Sequence, residues 1–120
     1  MAWEFNDREA LFLQIARHLG SEILCGKYPP DTQMPTVRQI AAEAAVNPNT
    51  VQKALAHLES EGILYTRGTI GRFVTGDTAV LSAAKERVRR EAVQGWLREA
   101  NALGISEDEL IQYIKEEDKS

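Results

Sequence analysis

Apolar residues recur along this chain at helical spacing. In REALFLQIARHLGSEILCG, Leu11, Ile15, Leu19 and Ile23 fall at i, i+4, i+8 and i+12, with Phe12, Ala16 and Leu24 widening the stripe. That is an amphipathic helix, with Gly26 as its stop and Gly20 as a weak point inside it. The next stretch, KYPPDTQMP, holds three prolines and reads as a loop. In TVRQIAAEAAV, Thr36 and Gln39 form a capping box, T-x-x-Q, at a second helix start. Val37, Ile40, Ala41 and Ala44 give that helix a buried side, and its small alanines let another helix come close. Asn47-Pro48 ends it and begins a third helix, with Asn47 as N-cap and proline at the first helical position. Val46 and Val51 stand at the spacing of a hydrophobic staple, and Val51, Ala54, Leu55 and Leu58 continue the core side until Gly62.

Two short helices joined by about three residues, Ala45 to Asn47, make a helix-turn-helix. The second turns Pro48, Asn49, Thr50, Gln52, Lys53 and His57 away from the core. Small polar groups on an outward first turn suit contact with base edges, and the backbone N–H groups beside them can meet a phosphate. Two β-like runs follow, ILYT (63–66) and RFVT (72–75), around Arg67-Gly68-Thr69-Ile70-Gly71. The glycines suit positive φ in a hairpin, and a hairpin directly after a recognition helix is a wing, with Arg67 and Arg72 flanking its tip.

From Leu81 the pattern changes. Leu81, Ala84, Val88, Ala92, Trp96, Ala100 and Leu103 step by three or four, with Val93 and Leu97 beside them. This predicts one helix of about 22 residues, roughly 33 Å long. Gly104 breaks it. Ser106 and Glu109 form a second capping box, Ile105 and Leu110 a second staple, and a last helix runs to about Glu117 with Leu110, Ile111, Tyr113 and Ile114 as its apolar face. Such a pair is too small to enclose its own core, and a second copy of the chain is the simplest cover for its apolar faces.

Composition narrows the setting. The chain has 120 residues, 43% hydrophobic and 27% charged, which fits one globular domain with an appendage. No apolar run approaches the roughly 20 residues of a membrane span. Acids stand near the N-terminus where a signal peptide would carry bases, and the single Cys25 builds no disulfide framework. These features together favour the cytoplasm. The net charge of −4 has the wrong overall sign for an obvious nucleic-acid binder. Phosphate contact depends on the local face, however. Between Thr32 and Thr75 the bases Arg38, Lys53, Arg67 and Arg72 outnumber the acids Glu43, Glu59 and Glu61.

The residues LFLQIARHLGSEILCGKYPPDTQMPTVRQIAAEAAVNPNTVQKALAHLESEGILYTRGTIGRFVT resemble the N-terminal winged helix-turn-helix domain of the GntR family of bacterial transcription regulators over nearly its whole length. MPTVRQIA, VNPNTVQKALAHLESEGIL and GRFVT carry the resemblance most strongly, and Asp31 departs from it where the family usually has glycine. The short tail has no room for a large ligand-binding domain or a pyridoxal phosphate domain, so the chain resembles the YtrA subfamily. That resemblance implies a dimerising tail and a repressor whose relatives often stand beside transporter operons. It also implies that Arg38 contacts DNA, that Asn49, Thr50 and Gln52 occupy recognition-helix contact positions, and that Gly68 and Gly71 form the wing tip. Pro48 stands where some relatives carry a DNA-contacting arginine, which shifts weight to Arg38 and the side chains that follow.

The expected fold class is therefore α+β, mainly α: a winged helix-turn-helix domain over 1–77 and a two-helix dimerisation element over 78–120. The expected DNA-contacting set is Thr36, Arg38, Pro48, Asn49, Thr50, Gln52, Lys53, Arg67, Gly68, Thr69, Gly71 and Arg72. The expected dimerisation set is Leu81, Val88, Ala92, Trp96, Leu103, Leu110 and Ile114. The expected partners are operator DNA, as an inverted repeat, and a second copy of the chain. Plainer roles stand beside these. Arg38 could pair with Glu43, Lys53 could be a solvated face, Arg72 an edge-strand charge and Thr50 a cap; Trp96, placed here in the core or dimer interface, has a small-molecule pocket between the tail helices as its alternative. His18 and Cys25 share a helix face but lie about two turns apart, too far to grip one ion, so no metal is expected. No nucleophile stands beside a base and no glycine loop precedes a helix to hold phosphate, so neither an enzyme nor a cofactor is expected. The alternative function is a winged module for protein contact without DNA affinity.

Overall fold

The computed structural model describes residues 3–118. Five helices and one two-stranded antiparallel sheet follow in the order α1 (Leu11–Leu24), α2 (Val37–Ala44), α3 (Pro48–Ser60), β1 (Leu64–Arg67), β2 (Gly71–Val74), α4 (Thr78–Ala102) and α5 (Glu107–Asp118). The chain divides into two compact units, one ending at Ala84 and one beginning at Lys85. The fold class is the one expected, a mainly helical winged helix-turn-helix followed by C-terminal helices.

In the first unit the three stripes meet. Ile15 and Leu19 of α1, Ile40 of α2, Val51 and Leu55 of α3, Leu64 of β1 and Val74 of β2 are the largest fully buried side chains. Burying each such side chain contributes about 1.5–3 kcal/mol, so this cluster is what clamps α3 from beneath. Gly20 does not interrupt α1: it is buried, facing Leu58 of α3. One polar side chain joins the core. Gln14 is buried, yet its amide is satisfied: Oε1 accepts from Asn6 N–H at 2.9 Å, and Nε2 donates to the carbonyls of Asn6 and Glu9, each at 2.9 Å. Those bonds fasten the segment before α1, whose Trp3 and Phe5 pack against the core.

Three expectations change. The stretch containing Asp31 to Met34, expected to be loop, pairs with the open edge of β2. Asp31 N–H donates to Val74 O, Val74 N–H to Thr32 O, and Met34 N–H to Arg72 O, each at 2.9 Å. Prolines 29, 30 and 35 flank this strap, so their missing N–H groups fall outside its bonds. The strands also sit one residue away from the expected runs, with Leu64 opposite Val74 and Arg67 opposite Gly71. Finally, α4 starts at Thr78, where Asp77 Oδ1 accepts from the N–H groups of Ala79 (3.0 Å) and Val80 (3.3 Å). Ala84 is buried in the winged core and Leu81 packs partly against it, so the start of α4 belongs to the first compact unit.

The second unit holds the remainder of α4 and α5. Gly104 at φ +76° ends α4, and Ile105 N–H donates to Ala100 O at 2.9 Å. The capping box forms: Ser106 N–H donates to Glu109 Oε1 at 3.0 Å, and Glu109 N–H donates to Ser106 Oγ at 3.2 Å. These bonds to Ser106 hold the Glu109 carboxyl below its ordinary pKa.

Candidate nucleic-acid interface

The turn between α2 and α3 is built by local chemistry at both ends. Thr36 Oγ1 accepts from Gln39 N–H at 3.1 Å, while Gln39 Oε1 accepts from Thr36 N–H at 2.8 Å, completing the box at the start of α2. Ala45 closes α2 in the left-handed region, φ +57° and ψ +47°. That conformation is strained for a residue with a Cβ and reverses the chain sharply. Two residues later Asn47 Oδ1 accepts from Asn49 N–H at 2.7 Å, with Pro48 at the first helical position. Val46 packs against the core and Val51 is wholly buried, as a staple requires. With Val51, Ala54, Leu55 and Leu58 held below, α3 leaves Pro48, Asn49, Gln52 and Lys53 exposed and Thr50 half-buried. No side chain caps through Thr50, because Asn47 performs that role.

The wing follows from its register. Arg67 pairs with Gly71, and Ile70 N–H donates to Arg67 O at 2.9 Å across the tip. Gly68 and Gly71 take φ +49° and +136°, which a side chain would strain. At Gly71 a Cβ would also be tight, 3.0 Å from Gln33 Nε2. That same nitrogen donates to Ile70 O at 2.9 Å, so the strap holds the wing tip through a residue the sequence did not single out. Thr69 and Ile70 are exposed at the tip.

The four bases of this region differ in their surroundings. Arg38 is exposed, and among the described residues it has no ion-pair or hydrogen-bond partner; the alternative bond to Glu43 is not made. Lys53 is steadied by Phe12 of α1, whose ring centroid lies 4.6 Å from its Nζ. Arg67 lies over Phe73, 4.8 Å from its guanidinium carbon to the ring centroid. Arg72 is different. It is half-buried, its Nη1 donates to Gln52 Oε1 at 3.0 Å, and its Nε is enclosed without a hydrogen-bond partner. Arg72 thus points inward to α3, which fits neither a free edge-strand charge nor an extended arm. A cleft of about 330 Å³ between strap, α2, α3 and wing gathers Thr36, Gln52, Gly68, Thr69, Gly71 and Arg72, with no carboxylate in its lining. Of the nearby acids, Glu59 accepts from Thr66 Oγ1, and Glu61 lies 3.5 Å from His57 Nε2.

The tail residues separate. Leu81 is half-buried and packs against the winged core of its own unit. Val88 and Leu110 are half-buried, while Ala92, Trp96, Leu103 and Ile114 are exposed. Trp96 is 59% exposed and Leu103 79%, and Val93, Ile111 and Tyr113 are about half exposed beside them in sequence. Among the described residues no helix is long and apolar enough to cross a membrane.

Comparison with known proteins places this geometry. Residues 11–74 match the family described as bacterial regulatory proteins, gntR family. The chain is 29% identical over 112 residues to the HTH-type transcriptional regulator YhcF of Bacillus subtilis, covering 93% of each chain. It is 30% identical to the HTH-type transcriptional repressor YtrA of the same organism, over 88% of this chain and 82% of that one. Among solved structures, a GntR family transcriptional regulator from Listeria monocytogenes superposes with a TM-score of 0.84 at 28% identity, over 93% of this chain and 98% of the other. AraR(DBD), solved in complex with operator ORX1, superposes with a TM-score of 0.54 at 28% identity, over 62% of this chain and 99% of the other.

Proposed function

From a chain that belongs to the gntR family of bacterial regulatory proteins, we infer a sequence-specific DNA-binding repressor that acts as a homodimer on an inverted-repeat operator. The observation that carries this reading is the outward face of the first two turns of α3. Asn49 and Gln52 are exposed there, beside a partnerless Arg38 and a Lys53 steadied on Phe12. Amide side chains have the donor and acceptor pattern for base edges, and the cations suit phosphates. A similar chain, AraR(DBD), was solved on its operator, which supports the same use of this fold here.

The apolar residues left open on α4 and α5 support a dimer. A partner helix pair would cover Trp96, Leu103, Ile111 and Ile114. Two recognition helices would then address half-sites about one helical turn, roughly 34 Å, or a multiple apart. Repression by covering a promoter follows the similarity to YtrA, a named repressor. Transporter genes are the first targets to examine, and the cytoplasm is the setting. The test is fluorescence anisotropy on duplexes enriched from a random pool. Arg38→Ala should weaken binding by about 1–3 kcal/mol at matched salt. Unchanged affinity would remove Arg38 from the interface, and failure to enrich any duplex would refute DNA binding.

A further inference from the structure

Gln52 is exposed on the second turn of α3, and Arg72 reaches it from β2, its Nη1 donating to Oε1 at 3.0 Å. A guanidinium offers only donors, so the amide must turn its oxygen toward it. The nitrogen is then the end left outward, and among the described residues nothing engages Gln52 Nε2. Arg72 is well placed to hold this orientation. Its strand is paired on both sides, to Thr66 of β1 in register and to Met34 of the strap through Met34 N–H and Arg72 O at 2.9 Å. Its side chain is half-buried, with Nε enclosed.

The consequence is a change in what the amide can read. A glutamine with both ends free pairs with adenine, donating to N7 and accepting from N6. With its oxygen turned toward the wing, Gln52 leads with its two N–H donors, and these match N7 and O6 of guanine. We propose that Arg72 is a specificity-determining positioning residue: by holding Oε1 of Gln52 it makes α3 read guanine, and not adenine, at the base pair Gln52 faces. This rests on the DNA-binding function inferred above and goes beyond it by naming a base and the residue that selects it.

The experiment is selection from a random duplex pool with the full chain, followed by anisotropy on the enriched duplexes and on single-base variants. Gln52→Ala flattens the preference at one position per half-site and so identifies the base pair concerned. There the wild type prefers guanine over adenine by roughly tenfold, and Arg72→Met, which removes the donors but keeps the bulk, shifts the preference to adenine. Preferences elsewhere stay as they were. The proposal is overturned if the wild type prefers adenine at that position, or if Arg72→Met keeps the guanine preference. It is also overturned if Arg72→Met weakens every sequence alike while the salt slope falls by about 1, because Arg72 would then be a phosphate contact. Should Arg72→Met fail to melt cooperatively, Gln52→Glu serves instead. Its carboxylate takes the Arg72 contact without presenting any N–H, so guanine gives way to cytosine, and retained guanine overturns the proposal. A wild type that enriches no duplex refutes the DNA-binding reading itself, a result distinct from all of these.

Discussion

Asn47 carries both the stability and the exposure of the recognition helix, so its substitution tests the two together. Its Oδ1 accepts from Asn49 N–H at 2.7 Å, satisfying one of the donors that a helix start leaves open. Replacing an asparagine N-cap by alanine typically costs about 1 kcal/mol. Pro48 keeps its φ and still presets the first turn, so no larger loss is expected at Asn47→Ala. With a urea m-value of about 2 kcal/mol/M, the midpoint should fall by roughly 0.5 M at unchanged m. The frayed turn carries Asn49 and Thr50, and re-forming it on DNA would weaken binding by up to about fivefold. Asn47→Asp separates the two effects. It keeps the acceptor and adds a negative charge at the positive end of the helix, worth about 0.3–1 kcal/mol, so stability holds or rises. On the proposed function that same charge would stand near phosphates, so affinity should fall. An unchanged urea midpoint for Asn47→Ala, or an unweakened operator complex for Asn47→Asp, would refute the reasoning.

Gly20→Ala should stabilise the winged unit by about 1 kcal/mol, because the added Cβ meets Leu58 Cδ2 at an ordinary 3.5 Å while helical propensity improves; a lowered melting temperature would mean that α1 and α3 cannot accept the methyl. Ala45→Gly should gain about 0.5–1 kcal/mol, the left-handed strain relieved less the extra freedom of glycine in the unfolded chain; thermal melting decides the sign. On the proposed dimer, Trp96→Asp should shift the chain to monomer in sedimentation without lowering the melting transition, since the indole is exposed within the single chain; a variant that still sediments as a dimer places the contact elsewhere.

The parts of this fold legible in the sequence are those whose chemistry is local. Thr36 with Gln39, Asn47 with Pro48, and Ser106 with Glu109 signal helix starts within four residues, and each forms as written. The strap was not legible, because prolines at 29, 30 and 35 mask four residues free to pair, and pairing depends on a strand forty residues away in sequence. Leu81 and Ala84 continue the periodicity of the tail without interruption, so no pattern marks where packing against the winged core ends. On the candidate interface, the exposure of Asn49 and Gln52 follows from their places opposite Val51 and Leu55. Arg72 on Gln52, Lys53 on Phe12 and Gln33 on Ile70 join residues far apart in the chain, and only the assembled fold brings them together.

The strap has one more effect. Gln33 grips the wing at Ile70 O, and two residues after it Pro35 leads into the Thr36 cap of α2. Wing and helix-turn-helix are therefore tied together like the two sides of a jaw, and the tie resists opening around whatever lies in it. On the proposed function, part of any misfit then falls to the duplex. Operators would then be selected partly by how readily they bend, at base pairs that no side chain reaches.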